Sequence, residues 1–145
     1  MTPESKKARK TFKVILDSNA LFIPLQFQID IFEELKTLLK IKFEPILLSQ
    51  VLAELEKLAE EASPKMRKNA SYALKLAERC KLVHVNEEVA SSPDDVIVEV
   101  AREWKCPVFT NDKQLRKRLR DINVPVIYMR QKSRLEIEGR IQPSV

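Results

Sequence analysis

The segment Phe12-Lys13-Val14-Ile15-Leu16-Asp17-Ser18-Asn19 ends an aliphatic run on a carboxylate, a hydroxyl and an amide. Continuous Val-Ile-Leu suits a strand buried on both faces, as in a parallel sheet; a half-solvated strand would alternate. Ligands of open parallel sheets bind beyond the carboxyl ends of the strands. Asp17 therefore falls where chemistry is expected. Four more short apolar runs repeat the pattern, at residues 45–48, 82–85, 107–110 and 124–128. Amphipathic segments separate them: 29–40, 50–62, a helix opened by Ser63-Pro64 and one opened by Ser92-Pro93. Pro at the first helical position after a Ser cap is a start signal. A short basic helix, 113–120, precedes the last run. This βα alternation, without linker or repeat, predicts one α/β domain: three layers, α/β/α, around a central parallel sheet of about five strands. Residues 12–130 form that domain, with a basic N-terminal tail at 1–11 and a basic C-terminal tail at 131–145.

Composition removes several chemistries. The single glycine, Gly139, rules out a glycine-rich phosphate cradle. One histidine, His84, rules out a multi-histidine metal site, and two cysteines, Cys80 and Cys106, are too few for structural zinc. Carboxylates, cations and aliphatics remain. The N-terminus is polar and basic, unlike a signal peptide, and no apolar run approaches the ~20 residues of a membrane span. A reduced, cytoplasmic setting without membrane attachment is expected. The net charge of +5 is unevenly spread. Residues 1–13 carry +4 and residues 113–140 carry +6, which leaves −5 for the centre.

Successive βα junctions offer acids. Asp17 ends the first apolar run, and Asp112 follows the fourth in Thr110-Asn111-Asp112. Glu54 lies one turn into the helix after the second run. Asp94 and Asp95 open the helix after the third. Each has an ordinary alternative: Asp17 and Asp112 could cap helices, and Ser92-Pro93-Asp94-Asp95 fits a capping box. Helical phase separates them further. Asp94 shares a face with Ile97, Val98 and Ala101, whereas Asp95 aligns with Glu99 and Arg102 toward solvent. Glu54 falls on the margin of the apolar stripe of its helix, and Glu56 and Glu60 fall opposite. Asp17, Glu54, Asp94 and Asp112 are thus the set able to converge. Such a set repels itself unless a cation joins it. Oxygen ligands without His or Cys suit Mg²⁺ or Mn²⁺, which commonly share their shell with a substrate phosphate.

Taken in order, residues 14–21, Glu54, 92–98 and Thr110-Asn111-Asp112 resemble the four acidic motifs of PIN-domain nucleases. The resemblance spans residues 14–128. The Asp94-Asp95 pair, the step from Asp112 into Lys113 and the closing Pro125-Val126-Ile127-Tyr128 resemble most the branch that processes small-subunit ribosomal RNA. It implies strand order 3-2-1-4-5 and Mg²⁺- or Mn²⁺-dependent endoribonuclease activity, leaving 5′-phosphate and 3′-hydroxyl ends. Asp17, Glu54, Asp94 and Asp112 would be the catalytic and metal-binding residues. Asn19, Thr110 and Asp95 would support them from behind. Lys113, Arg116, Lys117 and Arg120 would hold RNA, expected to be a ribosomal RNA precursor. A homodimer and a ribosome-assembly partner are compatible with this reading. The toxin branch of toxin–antitoxin pairs, with an antitoxin partner, is the nearest competitor, and a non-catalytic RNA-binding module is a further alternative. A receiver-like domain phosphorylated on aspartate also has acids at strand ends. The aromatics read as core, His84 as a structural histidine in a strand and Cys106 as packing. Sequence-specific base readout has no visible carrier.

Overall fold

A computed structural model describes residues 11–86, 92–131 and 133–141. The chain begins with β1 (Phe12–Leu16), and two helices follow, α1 (Ser18–Phe27) and α2 (Ile31–Leu39). Next come β2 (Phe43–Leu48), α3 (Ser49–Glu61), α4 (Pro64–Ala77) and β3 (Lys81–Val83). The second half holds α5 (Pro93–Trp104), β4 (Val108–Phe109), α6 (Lys113–Asp121), β5 (Val126–Arg130) and β6 (Arg134–Glu138). The sheet order is β3-β2-β1-β4-β5-β6. All neighbours run parallel except β5 and β6, which are antiparallel.

Val14, Ile15 and Leu16 each have 0% exposure. Successive strand side chains point to opposite faces, so both faces of β1 are covered and the sheet is the middle of three layers. Ile46, Leu47 and Leu48 of β2 and Val126 and Ile127 of β5 are buried in the same way. On the helical side, α4 packs against α3 and α1.

The expected five-strand order holds, and a sixth strand extends it. Residues 134–138, read as part of a basic tail, form β6 instead. Their sequence alternates: Leu135 is buried while Arg134 is exposed and Glu136 half-exposed. Such alternation fits an antiparallel edge strand with one face against the core. Gly139 ends it at φ +99, with the Cα of Pro125 3.1 Å from where a Cβ would stand. Helix α1, not separately assigned from the sequence, starts at the Asp17 cap and encloses Pro24. His84 lies beyond the end of β3 and is exposed, not held within a strand.

Candidate active site at the carboxyl ends of the strands

Strand β1 runs in the middle of the sheet, so Asp17 emerges between β2 and β4. It is both the last extended residue and the N-cap of α1. Its Oδ1 accepts from Ser18 N at 2.8 Å. Its Oδ2 accepts from the Thr110 hydroxyl at 2.7 Å and from Asn19 Nδ2 at 3.0 Å. Burial pushes the Asp17 carboxyl from 3.8 up to about 6. The Thr110 and Ser18 hydrogen bonds pull it down, and the charges of Asp94 and Glu54 push it up again. A carboxylate so perturbed at a strand end makes this a candidate functional site.

Thr110 continues β4 and is fully buried. While donating to Asp17, its Oγ1 accepts from Asp112 N at 3.1 Å. Asp112 caps α6, its Oδ1 accepting from Gln114 N at 2.8 Å and Leu115 N at 3.0 Å. One carboxylate oxygen thus serves the helix, and the hydroxyl of Thr110 ties the cap to Asp17. Asp94 lies in the first turn of α5, whose cap Ser92 accepts from Asp95 N at 3.2 Å. Burial raises the Asp94 pKa; Asp112 adds to the rise, and Arg118 opposes it. Each acid is therefore within electrostatic reach of another in the set. Glu54 is half-buried on the margin of α3, while Glu56 and Glu60 are exposed, as their helical phase requires.

The arrangement is open. Among the described residues, no three Asp, Glu, His or Cys stand close enough to form a ready cage for a metal ion. The donor set nonetheless fits a hard divalent cation. It offers carboxylate oxygens alone, and their mutual repulsion is what a bound cation would relieve. Waters and a phosphate would fill the rest of such a shell, as is usual for Mg²⁺.

Residues 14–132 match the family described as PIN like domain. The chain belongs to the PIN-like domain family. It is 32% identical over 131 residues to Ribonuclease VapC4 of Methanocaldococcus jannaschii, covering 90% of this chain and 99% of that one. It is 35% identical over 118 residues to the rRNA-processing protein fcf1 of Schizosaccharomyces pombe, covering 80% of this chain and 58% of that protein. The solved structure of the PIN domain endonuclease Utp24 matches with a TM-score of 0.75 at 32% identity, covering 91% of this chain and 95% of that one. The relatives of this PIN domain thus include ribonucleases, an endonuclease and rRNA-processing proteins.

The residues expected behind the acids divide. Asn19 and Thr110 bond Asp17 directly, whereas Asp95 accepts from Arg118 Nη2 at 3.0 Å on the outer side of α5. Asn111 was not singled out, yet it knits the site to the far half of the sheet. Its backbone N donates to Asn19 Oδ1 at 3.0 Å, and its Oδ1 accepts from Met129 N at 2.7 Å. The four expected RNA-binding cations divide as well. Arg116 and Arg120 each reach Glu138 of β6 at 3.3 Å, and the Arg116 guanidinium lies 3.9 Å over the Tyr128 ring. These two arginines tie α6 to β6. Lys113 and Lys117 are exposed. Burial holds the Cys80 and Cys106 thiols up at about 12, so both are protonated and inert. None of the helices, among the described residues, is long and apolar enough to cross a membrane.

Proposed function

We propose that this PIN domain is a metal-dependent endoribonuclease acting on a ribosomal RNA precursor. The carrying observation is Asp17, buried at the carboxyl end of the central strand, with its pKa lifted by burial and by the charges of Asp94 and Glu54. Asp17, Asp94 and Asp112 would hold the divalent ion, and Glu54 would hold a second ion or orient the attacking water. When bound, Mg²⁺ or Mn²⁺ lowers the pKa of water and offsets charge on the phosphate. Asn19 and Thr110 fix the Asp17 carboxylate by bonding Oδ2, which leaves the rotation of its side chain little freedom. Lys113 and Lys117, on the helix that begins at Asp112, would attract the RNA backbone. Similarity to the rRNA-processing protein fcf1 supports the ribosomal substrate, and similarity to the Utp24 structure supports the endonuclease activity. The match to nearly all of VapC4 favours a second reading, a toxin ribonuclease with an antitoxin partner.

The test is cleavage of structured RNA by purified protein with Mn²⁺. We expect EDTA to stop it and Asp17→Asn to lower the rate by about a thousandfold or more. Cleavage that survives EDTA, or an Asp17→Asn protein as active as the wild type, would contradict the proposal. Growth arrest on expression, relieved by a neighbouring gene product, would favour the toxin reading.

A further inference from the structure

The site is flanked by a hollow of about 410 Å³ between α1 and α4, within the range of ligand pockets. Asn19 and Asn111 line it; the Asn19 side chain bonds Asp17 and the Asn111 backbone N, and the Asn111 side chain accepts from Met129 N of β5. Through Asn19 the hollow therefore adjoins the Asp17 carboxylate. Its walls divide by chemistry. Phe22 and the 37%-exposed Met66 give an apolar side, and Lys65 gives a cation at the rim. Gln26 and Asn69 add two carboxamides, neither of which makes a hydrogen bond among the described residues. No carboxylate lines the hollow.

An apolar wall, a cation and unpaired carboxamides suit one ligand above others. A base needs a surface for its ring and groups that both donate and accept for its edge, and Asn and Gln carboxamides provide such pairs. The cation suits the phosphate that follows. A bare anion would not use the apolar wall, and an aliphatic ligand would leave the amides unpaired. The hollow also shares Leu25 with a second of about 540 Å³ whose lining includes Asp30 and Arg79.

We propose that this hollow is a base-recognition pocket for the nucleotide flanking the cleavage point, with Gln26 and Asn69 reading its edge and Lys65 holding its phosphate. It rests on the reading of the acids as an RNA-cleaving centre, and it supplies the base-reading element that the sequence did not reveal.

The test is fluorescence anisotropy with single-stranded RNA octamers of A, of C, of U and of alternating G and U, with Ca²⁺ as the divalent ion. We expect the wild type to bind one octamer at least roughly fivefold more tightly than the others. Asn69→Ala and Gln26→Ala should flatten that preference while melting at the wild-type temperature. Lys65→Ala should weaken all four alike and reduce the salt dependence by about one counterion. Equal binding of the four octamers by the wild type, or an unchanged preference in both carboxamide variants, overturns the pocket. Incubating the same preparations with structured RNA and Mn²⁺ separates the two ideas. Base-selective binding by a protein that leaves structured RNA intact in Mn²⁺ retains the pocket and removes the nuclease, whereas cleavage of structured RNA without base preference among the octamers does the reverse.

Discussion

Burial and hydrogen bonding act on Asp17 in opposite directions, and the balance gives the site its pH dependence. The Thr110 hydroxyl favours the ionised carboxylate, while burial favours the neutral acid and wins, holding the group at about 6. Because this lies above the ordinary 3.8, the metal-free folded protein binds more protons than the unfolded chain between the two values. Its stability from this group is greatest below pH 4 and falls as pH rises through 6, by on the order of 3 kcal/mol. A divalent ion should reverse that loss, since it binds the ionised form. We therefore expect Mn²⁺ to raise the melting temperature at pH 7.5 and to lose most of this effect near pH 5, as measured by calorimetry. A shift that is independent of pH would place the ion elsewhere. Thr110→Val removes the bond to Asp17 and leaves Asp112 N without its acceptor. It should cost about 1–3 kcal/mol and move the midpoint of the Mn²⁺ effect to higher pH. Asp17, Asn19 and Thr110 were legible because strand ends in a parallel sheet name their own positions. Asn111 was not, since its acceptor role depends on Met129, which is brought near only by the pairing of β4 with β5.

Helix ends carry much of what is unusual in this chain. Its single glycine closes β6, so helices end on other residues in the left-handed region: Gln28 at φ 56, Lys40 at φ 58 and Lys105 at φ 55. Such residues cost about 1 kcal/mol relative to glycine. Lys105→Gly, at the exposed end of α5, should raise stability by about that amount in urea unfolding without altering RNA cleavage. An unchanged or lower midpoint would mean that the lysine side chain contributes something the backbone strain conceals. The helices were legible from caps: Ser63 and Ser92 accept from Met66 N and Asp95 N, as their Ser-Pro starts imply. β6 was hidden by its charges. Arg134, Glu136 and Glu138 made residues 131–145 resemble a tail, although Leu135 and Ile137 alternate with them at strand period. Those charges belong to the fold: Arg130 and Arg134 pair with Glu136, and Arg116 and Arg120 with Glu138. A charged edge also discourages strand addition from another molecule.

At the scale of the whole molecule, the sheet brings together what the chain keeps apart. Asp17 and Asp112 are separated by most of the domain, and the β1–β4 pairing sets Leu16 beside Phe109, immediately before Asp17 and Thr110. The uneven charge follows the same plan, with acids where strands end toward the site and Lys113 and Lys117 on the helix leading away from it. The order of the acids was readable from the sequence because each closes a βα unit. Their openness was not, because side-chain separation depends on how far α3 and α5 stand from β1. The most direct measurement is a crystal structure of the protein soaked in Mn²⁺, located by anomalous scattering. We expect a peak at about 2.1 Å from a carboxylate oxygen of Asp17 and shared with Asp94 or Asp112. Peaks only elsewhere on the surface, in crystals of a protein that still cleaves RNA, would contradict the proposal that these carboxylates hold the catalytic ion.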